Sequence, residues 1–197
     1  MKKFISCMAL AGALAGTQGC SDQGTWSAAE KELIVGSGDV MHVFTVNDKA
    51  ELDMLRTPCL NMTPEMVGSQ IYTELASKMI STVTSPEQDG VGIAGPQVGF
   101  SRRVVAVMRM DKDGEPFEVY PNIRITAMRG ELVEGPEGCL SVPDKRGNVE
   151  RFRDIDISYI SPETLRDTTE TVQGFTAVIF QHECDHLDGV LYIDKVR

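Results

Sequence analysis

The hexapeptide Gln181-His182-Glu183-Cys184-Asp185-His186, close to the C-terminus, constrains this chain more than any other stretch. Residues four apart lie over one another in an α-helix, so both imidazoles reach a single metal ion. Glu183, one residue after the first histidine, falls at the edge of the same site, where a carboxylate holds a water beside the metal and serves as general base. Phe175, Val178, Ile179 and His182 share one face of a helix expected over residues 175–187, and Gly189 is placed to stop it. An amphipathic helix with two hydrogen-bonded structural histidines has the same spacing, so the motif alone leaves both readings open.

A catalytic centre of this kind takes three protein ligands and keeps a position for water. The metzincin solution, a third histidine six residues after the second, is excluded because Tyr192 stands there. No glutamate follows His186 either, so the third ligand is expected upstream. Of the three histidines only His42 lies outside the motif; with no second ligand type beside it, it reads as a surface histidine.

A length of 197 residues with 42% hydrophobic content suits one packed domain. A net charge of −10 leaves no basic stripe for nucleic acid, so no nucleic-acid partner is expected. Residues 1–20 differ in kind: Lys2 and Lys3, an apolar run too short to span a bilayer, then Gly19-Cys20. They read as a secretory signal peptide of lipoprotein type, with membrane attachment through lipid on Cys20 and export to the bacterial cell envelope. Thr17 and Gln18 depart from the aliphatic and small residues usual before such a cysteine. A leader that is not used would leave the protein in the cytoplasm. Residues 21–40, small and polar with Trp26 the one large aromatic, read as a flexible tether to a catalytic domain over 41–197. Cys59, Cys139 and Cys184 form no evident disulfide framework.

Residues 41–46 alternate as a short strand or extended entry, and residues 52–60, with Pro58, read as turns. Thr63-Pro64-Glu65 is a helix start, and Val67, Ile71, Leu75 and Met79 predict one amphipathic helix over 64–82. Gly90, Gly92 and Gly95 satisfy the dinucleotide fingerprint literally, but a helix and a polar loop precede them, and Pro96 and Gly99 block the helix that should follow. The stretch reads instead as a strand or turn whose missing Cβ atoms let another backbone approach. Strands are expected over 104–108, 117–120, 123–126, 131–133, 154–160 and 170–172, with turns at Asp113-Gly114 and Arg129-Gly130. The fold class is α+β: antiparallel or mixed sheets wrapped around the C-terminal metal-binding helix, with one N-terminal helix.

Between the strands lies Glu137-Gly138-Cys139-Leu140-Ser141, whose thiolate is a strong ligand for zinc or ferrous iron. Three motifs then stand in order: Gly90-x-Gly92-Ile93-Ala94-Gly95-x-Gln97, Glu137 to Ser141, and Gln181-His182-Glu183-x-Asp185-His186. In this the chain resembles the peptide deformylases, from about residue 48 to residue 195. Gly95 replaces an alanine common in that family, and the basic C-terminal helix that docks many bacterial members on the ribosome is not expected here. The resemblance implies a metal-dependent hydrolase that releases formate from N-formylmethionyl peptides and acts as a monomer. Cys139, His182 and His186 would hold one divalent metal. Ferrous iron (Fe2+) is the family's usual ion, nickel or cobalt can replace it, and zinc (Zn2+) would be favoured in an oxidising compartment. Glu183 would move the proton from the attacking water to the leaving amine, and Gln97 with the Leu140 N–H would receive the developing oxyanion. Val91, Gly92 and Ile93 would pair with the peptide as an added strand, near Gly138 and Arg146, while Val178 and Ile179 would line the methionine pocket. Arg151 would pair with Glu137, and Asp185 would either fix a ligand histidine or solvate the helix. Two rivals remain: a metallopeptidase, and a non-catalytic envelope protein that binds formyl-peptides.

Overall fold

The terminal helix α5 (Gly174–Leu187) forms where its periodicity places it and ends at Asp188. Gly189 follows at φ +75°, and a Cβ there would collide with the Arg56 carbonyl oxygen, so only glycine turns the chain at that point. A computed structural model describes residues 24–196 of the chain. Among them, α1 (Ala28–Gly36), α2 (Lys49–Leu55), α3 (Pro64–Val67) and α4 (Gln70–Val83) precede β1 (Gly92–Ala94). Then follow β2 (Val104–Met108), β3 (Phe117–Pro121), β4 (Arg124–Arg129), β5 (Val133–Cys139), β6 (Val142–Arg151), β7 (Asp154–Ile160), β8 (Asp167–Gln173) and α5.

The strands form three antiparallel units: β1-β2-β3, β4-β7-β8, and the hairpin β5-β6. In the first sheet alternate residues face opposite ways. Ile93, Val104 and Ala106 meet Tyr72, Leu75, Met79 and Val83 of α4 in one core. Ala94, Val105 and Val107 meet Ala177, Ile179, Phe180 and Cys184 of α5 in another, which Ile155, Ile157 and Val172 of the second sheet complete. Helix α5 is therefore pinned between two sheets, and each buried aliphatic or aromatic side chain that pins it stabilises the fold by about 2 kcal/mol. A helix held in this way presents its remaining face at a fixed orientation.

The architecture is the expected α+β arrangement, with every strand ladder among the described residues antiparallel. Four helices, not one, precede the first strand. The stretch over 52–60 read as turns begins inside α2, because the Asp48 carboxylate accepts from the N–H groups of Ala50 and Glu51 and starts a helix. The single helix expected over 64–82 is two, interrupted at Gly68 and restarted by Ser69, whose hydroxyl accepts from Tyr72 N–H.

The tether expected over 21–40 is also corrected from residue 24 onward. Ser27 and Glu30 form a reciprocal capping box that opens α1, and Trp26 and Ile34 are buried against α4 and Phe100. Residues 41–45 form no strand, and Val46 begins a turn. They join the fold through Phe44 N–H to the Gln97 carbonyl and Val46 N–H to the Ser141 carbonyl. The leader over 1–20, with Cys20, lies outside the described residues. No helix among the described residues is long and apolar enough to cross a membrane.

Candidate metal centre

Helix α5 carries His182 and His186 one turn apart with ring centroids 5.1 Å from each other. The strand β5 ends at Cys139, where the β5-β6 register shifts after the Gly138/Arg146 pair, so that Cys139 pairs with Val142 across a tight turn. That irregularity aims the thiol at the helix: Cys139 Sγ lies 3.1 Å from His186 Nε2. The ligating atoms of Cys139, His182 and His186 all fall within 4.8 Å of one another. One thiolate and two imidazoles at that spacing fit a four-coordinate divalent ion with one position left for water.

The histidine that faces solvent more is held from behind. Glu137 Oε2 accepts from His182 Nδ1 at 2.8 Å, leaving the Nε2 lone pair for a metal. Arg151 grips the same carboxylate with both ends of its guanidinium, Nε to Oε1 at 2.7 Å and an Nη to Oε2 at 3.0 Å. Burial opposes ionisation of Glu137, but hydrogen bonds from His182 and Arg151 outweigh it and hold the carboxyl at about 2. Burial likewise opposes charge on His182, yet Cys139 and Glu137 raise its pKa to about 10, so a cation arriving at Nε2 displaces a proton there and the Glu137 carboxylate stays behind the ring as counter-charge. His186 is driven well below its ordinary pKa by burial and by His182, which keeps it a neutral ligand. Asp185 takes neither of the two roles expected of it. It binds Arg151 at 2.6 Å and Lys195 at 2.7 Å, and so reaches His182 only through Arg151 and Glu137.

Glu183 is buried, and burial pushes its carboxyl up to about 7. Its Oε2 has no hydrogen-bond partner among the described residues, a costly state that a water in the site would relieve. Across from it, Gln97 sits on the short 3-10 turn after β1 with its side chain fixed at both ends. Oε1 accepts from Ala94 N–H at 2.8 Å, while Nε2 points at Ser141 Oγ at 3.2 Å and Cys139 Sγ at 3.6 Å. The first bond assigns which end of the amide is the donor.

These groups open onto a cleft of about 800 Å³. Val91, Gly92, Gly138, Leu140, Arg146, Val178 and Ile179 line it, together with Gln97, Cys139, His182 and Glu183. The Ile93 side chain is fully buried on the α4 side of the sheet, because strand alternation turns it away when Gly92 faces Glu183, so only its backbone is offered on the cleft side. Strand β1 is the terminal strand of its sheet, so a backbone edge lies beside the cleft. Phe175, 48% exposed, and Lys145 at the rim were not singled out as site residues; Phe175 shares the helix face of Val178, Ile179 and His182, a signal that could have found it, whereas no spacing marks Lys145.

A metal-binding helix with an adjacent buried carboxylate, a donor amide and an open strand edge defines a metal-dependent hydrolase acting on extended chains. The family model for polypeptide deformylase matches residues 40–197. The peptide deformylase of Leptospira biflexa is 37% identical over 150 residues, covering 71% of this chain and 83% of the relative. Peptide deformylase 2 of a Nostoc species is 42% identical over 139 residues, covering 68% and 76%. Among solved structures, the class I type b peptide deformylase from Acinetobacter baumannii bound to Met-Ala-Ser aligns with a TM-score of 0.70 and 34% identity, over 80% of this chain and 98% of that one. The chain belongs to the peptide deformylase family, metal-dependent enzymes that remove the formyl group from an N-terminal methionine. The metallopeptidase and binding-protein rivals give way to that reading.

Proposed function

We propose that the deformylation is carried out by Glu183, Gln97 and Leu140 beside a divalent ion held by Cys139, His182 and His186. The observation that supports it is the Glu183 carboxylate, buried and with one oxygen unpartnered, next to that Cys-His-His cluster. When bound, the ion supplies Lewis acidity, lowering the pKa of an attacking water and polarising the formyl oxygen. Glu183 takes the proton of that water at Oε2 and delivers it to the departing amine nitrogen; a carboxyl poised near neutrality suits both transfers. As negative charge develops on the formyl oxygen, Gln97 Nε2 and the Leu140 N–H donate to it. The amide is already oriented by Ala94 N–H, so little reorganisation accompanies the reaction.

The peptide lies along the β1 edge, where the backbone of Val91, Gly92 and Ile93 pairs with it as an added strand, with Gly138 and Arg146 on the other wall. Val178 and Ile179 line the pocket for the methionine side chain. The Acinetobacter baumannii relative, solved with Met-Ala-Ser bound, supports a peptide of this kind as ligand. We assign ferrous iron as the working metal by resemblance, with zinc in its place if the protein is exported through a leader at residues 1–20 and lipidated at Cys20.

The test is formate release from formyl-Met-Ala-Ser by protein loaded anaerobically with ferrous iron or with zinc, beside Glu183→Ala. Release that vanishes in the variant while metal content is unchanged is expected. A Glu183→Ala protein that still releases formate at the parent rate removes Glu183 from the mechanism. Cell fractionation with mass analysis of Cys20 tests the location.

A further inference from the structure

Helix α1 lies outside the residues that the family model matches, yet it is fastened to the back of the turn that carries Gln97. Glu30 accepts from Arg102 Nε at 2.6 Å and from an Arg102 Nη at 3.2 Å, and the Arg102 side chain is 7% exposed. The Arg102 carbonyl oxygen in turn lies against Gly95, the first residue of the 3-10 turn, only 2.6 Å from where a Cβ would stand. Leu33 and Phe44 cover Gly99, which closes that turn at φ +83°. Trp26 meets Phe100 edge-on, and Phe100 N–H bonds the Gly95 carbonyl. At the far end of α1, Lys78 Nζ donates to the carbonyl oxygens of Ile34 and Ser37, closing the helix. The arm then continues into Phe44, whose N–H bonds the carbonyl of Gln97 itself. The turn is therefore gripped on its first residue, its last residue and the backbone of Gln97.

We propose that α1 is a positioning element of the active site, with Glu30 as its positioning residue. Through Arg102 and the Gly95–Gly99 turn it fixes the backbone of Gln97, and so the line from Gln97 Nε2 toward Cys139 and Ser141. This rests on the role given to Gln97 above. Because a donor to a developing oxyanion must be placed to a fraction of an ångström, loosening the turn lowers turnover more than it lowers peptide binding. The side-chain walls of the cleft, at Arg146, Val178 and Ile179, belong to β6 and α5, and the β1 edge that pairs with the peptide is held independently of α1 by its ladder with β2 and by packing on α5.

The experiment measures kcat and KM for formyl-Met-Ala-Ser on the full chain, metal-loaded and checked for folding by circular dichroism. The variants are Glu30→Ala, Glu30→Gln and Leu33→Ala, each in the parent and in a Gln97→Ala background, with Val35→Ala as a control on the exposed side of the same helix. Glu30→Ala and Leu33→Ala are expected to lower kcat roughly tenfold with KM within about twofold, and to lower it no further once Gln97 is alanine. Glu30→Gln, which keeps acceptor and length, is expected to recover most of the loss. If Glu30→Ala does not fold, Leu33→Ala and Glu30→Gln carry the same comparison. Equal losses in both backgrounds, a change confined to KM, or no loss would overturn the proposal. A Gln97→Ala enzyme as active as its parent would instead overturn the role of Gln97, and the positioning claim with it.

Discussion

The Glu183 carboxylate occupies the space that a side chain at Gly92 would need: an ideal Cβ there would stand 2.5 Å from Oε1 and 2.8 Å from Ile179 Cγ2. Real Cβ atoms essentially never come so close to a neighbour, and both groups belong to the well-packed helix α5. The backbone angle at Gly92 is one that alanine tolerates, so any effect of Gly92→Ala comes from this contact and not from strain. The substitution is expected to push Glu183 out of line and lower kcat roughly 100-fold. Metal content by elemental analysis is expected to stay at the parent value, since the atoms nearest the added Cβ belong to Glu183 and Ile179 and not to Cys139, His182 or His186. An alanine variant with parental kcat would show that Glu183 adjusts freely.

Arg151 binds both oxygens of Glu137, and both side chains are nearly buried. Removing it strands a buried carboxylate, at a cost of about 3–5 kcal/mol. It also frees Glu137 to rotate off His182 Nδ1, and loss of such an orienting partner typically weakens a metal roughly 10- to 100-fold. Arg151→Ala is therefore expected to lower both the melting temperature and the metal affinity measured by chelator competition. A variant that loses stability but holds metal as tightly as before would show that Glu137 keeps His182 in place unaided.

How far these relations could be read from residues alone depended on what kind of signal carried them. The helix α5 was legible because ligand types at i and i+4 coincide with an apolar face, and β2 and β7 because valines and isoleucines mark buried positions. Helix α1 was not: Leu33, Ile34 and Val35 are adjacent rather than spaced, and its anchors are a capping box and an ion pair with Arg102 far along the chain. Most of the β5-β6 hairpin was missed because its strands are rich in Pro, Gly and charged residues and are held by pairing with each other more than by burial. The Asp185–Arg151–Glu137–His182 chain crosses three elements, α5, β6 and β5, and leaves no local spacing to find.

Cys139 on β5 and the histidines on α5 belong to elements that otherwise meet through few apolar groups, so an ion between them joins the hairpin to the helix. Binding to the folded state alone stabilises it by about 4 kcal/mol when free metal is about a thousand times its dissociation constant. For a chain of this size that corresponds to a shift on the order of 10 °C. Stripping the protein with a chelator is expected to lower the melting temperature by this order and re-adding ferrous iron or zinc to restore it. Cys139→Ser is expected to shrink the difference. Identical melts with and without metal would mean that the cluster binds its ion too weakly to matter for the fold.

On the exposed surface of the second sheet, Arg129 bridges Asp154 and Asp156 across β4 and β7, and Thr171 of β8 donates to Asp156 as well. Hydrogen bonds from Arg129 first, and Thr171 second, pull the Asp156 carboxyl from 3.8 down to about 2. A carboxylate with a depressed folded-state pKa binds fewer protons folded than unfolded, so stability rises with pH across that interval. Its contribution is complete above pH 3.8 and is lost as the pH falls through about 2. Asp156→Asn removes this contribution. The melting temperatures of parent and variant are expected to differ most above pH 4 and to converge near pH 2, in a buffer series at constant ionic strength. A gap that stays constant from pH 5 to pH 2 would assign the effect of Asp156 to packing on the sheet surface and not to its charge.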